Sequence, residues 1–120
     1  MEKKFQLWEI DFKSIGKLTP EKVRDLIIEC FFHAQKETFK YTKKKLYKKE
    51  PTDDEIRNSV ITLVQMTFKE IGGDFDNPSL DALKKVVENL AKKAKAWGTP
   101  DEIINHHKNQ IEKLIKIAGG

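Results

Sequence analysis

The stretch Thr19–Lys49, TPEKVRDLIIECFFHAQKETFKYTKKKLYKK, decides the fold. At ~3.6 residues per turn and ~1.5 Å per residue it predicts one helix of about eight turns, roughly 45 Å long. Projected at about 100° per residue, its apolar side chains, among them Val23, Ile27, Ile28, Cys30, Phe31, Phe32 and Phe39, fill an arc of roughly 240°. An arc that wide cannot be served by one neighbour. Glu29, His33, Lys36 and Lys40 mark the narrow strip left for water, so this helix is expected to be the long central member of its domain.

Its start is written locally. Thr19 is a good N-cap, Pro20 suits the first helical position, and Glu21 meets the positive end of the helix dipole. Pro51 closes it, after lysines that complement the negative end. Thr52-Asp-Asp-Glu55 then reads as a capping box opening a second helix, with Ile56, Val60, Val64 and Phe68 on its apolar stripe and Gly72-Gly73 as its stop. Asn77-Pro78 is expected to cap a third helix that buries Leu83, Val87, Leu90, Ala94 and Trp97 and ends at Gly98. Thr99-Pro-Asp-Glu102 is expected to cap a fourth, running to about Ala118 on Ile103, Ile104, Ile111, Leu114 and Ile115. Short connections make sequential helices antiparallel neighbours. The expectation is an all-α chain: an antiparallel four-helix bundle over residues 19–120 with one long central helix, preceded by an extended arm over residues 1–18.

The arm, KKFQLWEIDFKSI at residues 3–15, has no strand partner anywhere in the chain, so it is read as extended with at most a short strand. Three helices of about 19 residues, roughly 29 Å each, cannot cover a helix of ~45 Å. The arm, a second subunit, or both should cover what is left. From this comes the expectation of a homodimer, with Trp8, Phe12, Ile28, Phe31 and Phe32 as its interaction residues.

At 120 residues the chain is long enough for one real core. No apolar run approaches the ~18 residues of a membrane span, and the charged start lacks the apolar stretch of a signal peptide, so a cytoplasmic protein without a membrane role is expected. One cysteine, Cys30, cannot make an internal disulfide, which fits a reducing compartment. The net charge of +4 is almost all lysine, the only arginines being Arg24 and Arg57. Few arginines and abundant lysine and glutamate resemble a thermophile-like composition and argue against base-specific nucleic-acid recognition.

Four sets of residues bear chemistry. His107 falls inside the fourth helix's apolar stripe, with His106 at its edge and Gln110 also inward. A metal or acid–base role is weighed there against a core histidine bonded to a neighbour, for which Tyr41 is the expected partner. Cys30 is read as a small buried hydrophobe. Glu29 and His33, four apart on the polar strip, lack the inward Glu-x-x-His pairing of di-iron bundles and read as a solvated helix pair. The run Lys43, Lys44, Lys45, Lys48 and Lys49 is a candidate contact for anions or nucleic acid, set against an ion-paired surface with the acids of the next helix start. Asp74, Asp76, Asn77 and Asp81 do not make a calcium loop, because Pro78 interrupts the ligand spacing and the twelfth position is Lys85.

No phosphate loop, metalloprotease motif, nucleophile elbow or paired-cysteine motif is present. The reading is a non-enzymatic, oligomeric helical protein acting as a protein–protein interaction module, with no cofactor and no metal. The alternatives are nucleic-acid binding at the lysine-rich end of the bundle, and a metal-binding or enzymatic bundle built on His107 or His33.

Overall fold

A computed structural model describes residues 5–42 and 51–119, with the side chains of Tyr41 and Thr42 excepted. Four helices and no strand occur among them: α1 (Pro20–Thr42), α2 (Asp53–Glu70), α3 (Leu80–Trp97) and α4 (Asp101–Ile117). At 23 residues α1 is the longest of the four, and the remainder of the long helix expected from sequence, 43–49, lies outside the described residues. α1 touches each of the other three helices, whereas α2 and α4 do not touch one another.

Two of the four expected starts stand where local chemistry put them. Thr19 Oγ1 accepts from the Lys22 backbone at 3.2 Å. At α2 the capping box is reciprocal: Thr52 Oγ1 accepts from Glu55 N at 3.2 Å, and Thr52 N donates to Glu55 Oε1 at 3.1 Å.

The other two need correction. α3 is capped by Ser79, whose Oγ accepts from Ala82 N at 3.1 Å, and not by Asn77. Pro78 is buried ahead of the cap rather than forming the first helical turn. Thr99 does not cap α4. Its N–H donates to Ala94 O at 3.0 Å while Gly98 N–H reaches Lys95 O at 3.1 Å, the paired bonds that close a helix C-terminus through a left-handed residue, here Gly98 at φ 108°. Thr99 is thus committed to the end of α3, and its hydroxyl is buried against Thr38 Oγ1 at 3.4 Å. Pro100 occupies the capping position with no side-chain bond to give.

The core is mostly aliphatic, with Phe68 its largest fully buried side chain. Val23, Ile27, Val60, Val64, Leu83, Val86, Leu90, Ile111 and Leu114 are fully buried. The connection after α2 is tied to α1 by Arg24, which donates to Phe75 O at 2.7 Å and lies over the Phe75 ring, and Phe75 meets Phe68 edge-on.

The arm settles what covers the N-terminal half of α1. Ile10 is buried, and Trp8, Phe12, Ile15 and Leu18 pack half-buried against the core. With them in place Ile28 is 8% exposed, and Phe31 and Phe32 are 3% exposed each, within one copy of the chain. The apolar surface that called for a second subunit is therefore already covered. A charge placed there should act on folding: Phe32→Asp is expected to lower the unfolding free energy by several kcal/mol, read as a lower urea midpoint, since it removes a packed ring and buries a carboxylate, a cost that the neighbouring Arg57 only partly offsets. The same substitution should leave the sedimenting mass of the folded fraction unchanged. At the end of α3, Gly98→Ala should cost about 1–3 kcal/mol through the positive φ, readable as a fall in the same midpoint.

Candidate functional site

The polar residues singled out in the sequence converge on the arm. Residues 6–10 form neither helix nor strand, and one edge of their backbone is bonded to side chains of α1 and α4. Gln6 N donates to Glu37 Oε2 at 2.7 Å, Ile10 N donates to Gln110 Oε1 at 2.7 Å, and Trp8 O accepts from Gln110 Nε2 at 2.9 Å. His106 Nε2 also lies 3.0 Å from Trp8 O, so it carries the proton of that contact. Gln110 accepts from one residue and donates to the residue two before it, the bonds that a residue of a parallel neighbouring strand would make.

His107 is 1% exposed beneath this clamp. Its Nδ1 lies 3.5 Å from Gln110 Nε2, which can only donate, so the imidazole is neutral with its proton on Nε2. Burial, and then the charges of His106 and His33, push His107 down from 6.5 to about 4. The partner is thus Gln110; Tyr41, expected in that role, has a side chain outside the described residues.

His33 does not stand in solvent as a bare Glu-His pair. Its ring stacks on Trp8 at 4.5 Å and 12°, and Phe32 meets its other side edge-on at 5.0 Å. Glu29 lies 3.8 Å from His33 Nε2 and is bonded more closely by Arg57, whose guanidinium also covers the Phe32 ring at 4.2 Å. Desolvation beside the arm lowers His33, only partly offset by Glu29. Cys30 is fully buried, and burial followed by the charge of Glu29 raises its thiol far above the ordinary range. Such a thiol stays protonated and is not a nucleophile. No group of three metal-ligating side chains forms among the described residues. Lys43, Lys44, Lys45, Lys48 and Lys49 lie outside them.

These groups bond and stack on the arm, with a hollow of about 300 Å³ beside Trp8 and His33, and a larger apolar groove lies on another face. A groove of about 580 Å³ runs between α2 and α3 with its end against α1. Its apolar part is Phe39, Leu63, Met66 and Trp97, and its polar rim includes Asn58 and Thr62. Phe39 and Trp97 meet edge-on at 4.8 Å, and Met66 is 54% exposed. Thr67 and Glu70 both bond Lys93 Nζ, at 2.9 and 2.7 Å, which neutralises the cation on this side. In the sequence Met66 belonged to neither face of α2, and only the packing of Trp97 and Phe39 shows the three as one surface.

Comparison with protein-family models finds no match for the chain, and comparisons with curated proteins and with solved structures find none either. No helix among the described residues is long and apolar enough to cross a membrane.

The clamp makes a signed pH prediction. Between about pH 6.5 and 4 the unfolded chain takes up a proton at His107 that the folded chain refuses. The stability this contributes is complete above about pH 6.5 and is lost as pH falls toward 4, on the order of 3 kcal/mol. His33, lowered for the same reason, acts in the same direction. His107→Leu is expected to remain cooperatively folded and to flatten that part of the stability curve, measured by urea unfolding at intervals from pH 7 to 4. Gln110→Ala, which strips the buried Ile10 N–H of its acceptor, should cost about 1–3 kcal/mol at pH 7.

Proposed function

We propose that the chain is a non-enzymatic protein–protein interaction module whose docking surface is the α2–α3 groove. The observation that carries this reading is the juxtaposition of Met66, 54% exposed, with the half-buried Phe39–Trp97 pair and Leu63 in one groove whose single charged lining residue, Lys93, is paired with Glu70. Methionine and aromatic side chains adapt to apolar partners, and grooves between helices accept the apolar face of an amphipathic helix. Asn58 and Thr62 are placed to bond that helix at its polar edge, and the pairing of Lys93 with Glu70 leaves no net field to select a charged ligand.

The scaffold suited to this role is an up-down antiparallel bundle around α1 as its long central helix. Cross-helix pairs support that order: Lys36 with Asp53 and Glu29 with Arg57 run in opposite sequence directions along α1 and α2, and Lys95 meets Asp101 across the α3–α4 turn. Thr38 beside Thr99 sets the end of α1 against the start of α4.

A photo-crosslinking residue substituted at Met66 in the source cells is expected to capture a defined polypeptide. Its affinity is then measured with both components purified. Met66→Asp should leave the far-ultraviolet spectrum and melting midpoint near those of the parent, because Met66 is exposed, and should weaken the complex at least tenfold. Equal binding by Met66→Asp would overturn the assignment of the groove.

A further inference from the structure

At the floor of the α2–α3 groove stands a polar side chain that the fold does not use. Gln35, one turn before Phe39 on α1, lines the groove and is 8% exposed. Of the six buried polar side chains among the described residues, the other five are bonded within the fold: Thr38 to Ala34 O, Thr67 to Leu63 O, Thr99 to Thr38, and Gln110 to the arm and to His107. The amide of Gln35 bonds no described residue. Every described side-chain nitrogen or oxygen sealed from solvent has a partner, so both ends of this amide keep contact with solvent, and the hollow that Gln35 lines is the groove.

That arrangement costs little while the groove is open. When a partner closes it, water leaves and the amide loses a donor and an acceptor bond at once unless the partner returns them. A wholly apolar helix face would suit Phe39, Leu63, Met66 and Trp97 and be penalised at the floor. The backbone of an incoming helix is no remedy, because its N–H and C=O groups are bonded along its own axis. A carboxylate only accepts and an ammonium or guanidinium only donates, and each would bring a charge into a desolvated site. A primary amide presents N–H and C=O side by side, so it gives back both bonds in one planar pair.

Taking the α2–α3 groove as the docking surface, we propose that Gln35 selects the partner. The helix that docks carries one asparagine or glutamine in the middle of an otherwise apolar stripe, paired amide to amide with Gln35, and its apolar neighbours a turn to either side lie on Phe39, Leu63, Met66 and Trp97. A lone amide in an apolar helix seam fixes register and rejects apolar competitors, at some loss of raw affinity.

Gln35→Met, which keeps the shape and removes the amide, tests this with the full chain. Its melting midpoint should equal or exceed that of the parent, because nothing inside the fold bonds the amide; a marked fall would show that the fold uses it and would overturn the proposal. The probe is a displayed library of helical peptides of about five turns, ~18 residues, with the positions of one face randomised. Selected peptides that bind the parent chain but not the Met66→Asp chain are those seated in the groove. They should carry asparagine or glutamine at one central position of that face. Replacing that residue by leucine should weaken binding to the parent about tenfold or more and leave binding to the Gln35→Met chain equal or better, so that the two changes couple in a double-mutant cycle. Groove-bound peptides without a central amide, equal on the parent and Gln35→Met chains, overturn the role of Gln35 and leave the groove as the docking surface. If no selected peptide distinguishes the parent from Met66→Asp, the docking surface itself is wrong and selection by Gln35 falls with it.

Discussion

The backbone of residues 8–10 belongs to no sheet, and the amide of Gln110 supplies the two hydrogen bonds that a neighbouring strand would give. Everything about the N-terminal half of α1 depends on that substitution. Ile27, Ile28, Phe31 and Phe32 occupy more of the helix circumference than the other three helices reach, and each is worth about 1.5–3 kcal/mol when kept from water. An extended segment can lie across them only if its own polar backbone is satisfied, because buried peptide groups without partners cancel what the apolar contacts contribute. Gln110 from α4 meets that demand at Trp8 and Ile10, and Glu37 from α1 bonds the exposed Gln6 N–H further out. Trp8 and Ile10 are thereby held over the hub.

The same constraint explains why polar residues sit inside an otherwise apolar helix. A glutamine and a histidine on the buried stripe of α4 weaken it in isolation, yet both are satisfied once the arm is in place: Gln110 uses its oxygen and nitrogen on the arm, and its nitrogen also approaches His107. His107 is kept neutral by burial, and its nitrogen serves as an acceptor only in that state. The stack of Trp8 on His33 extends the fastening to the outer strip of α1, where Arg57 and Glu29 complete it. Of the three histidines, His33 and His106 both contact the arm at Trp8.

What was legible in the sequence follows the range of each interaction. Thr19, the Thr52–Glu55 box and Gly98 act within a few residues of themselves, and each does what local chemistry dictates. Asn77 and Thr99 were misread because each competes with another use of the same residues. Ser79 stands two positions nearer the helix and takes the cap, and Thr99 closes the helix before it instead of opening the one after. The arm could be read as extended but not placed, since its partners lie 31 residues away at Glu37 and 100 residues away at Gln110. A lone inward glutamine gave the only hint of that contact.

α3 shows how one helix can present two unlike surfaces without conflict. Its buried side, Leu83, Val86, Val87, Leu90 and Ala94, is spent on the core. On one flank Trp97 leans toward α2 among uncharged groups, and on the other Lys84, Glu88 and Lys92 face α4. The residue that divides them is Lys93. Its stem borders the groove, but its ammonium is drawn across α2 by Thr67 and Glu70, so it does not stand as a free cation in the apolar groove. A desolvating partner in the groove would otherwise have to strip water from a free cation, a cost that apolar contacts of this size could not offset. Removing Glu70 would therefore be felt first in the groove, through a released Lys93, and hardly at all on the α4 side.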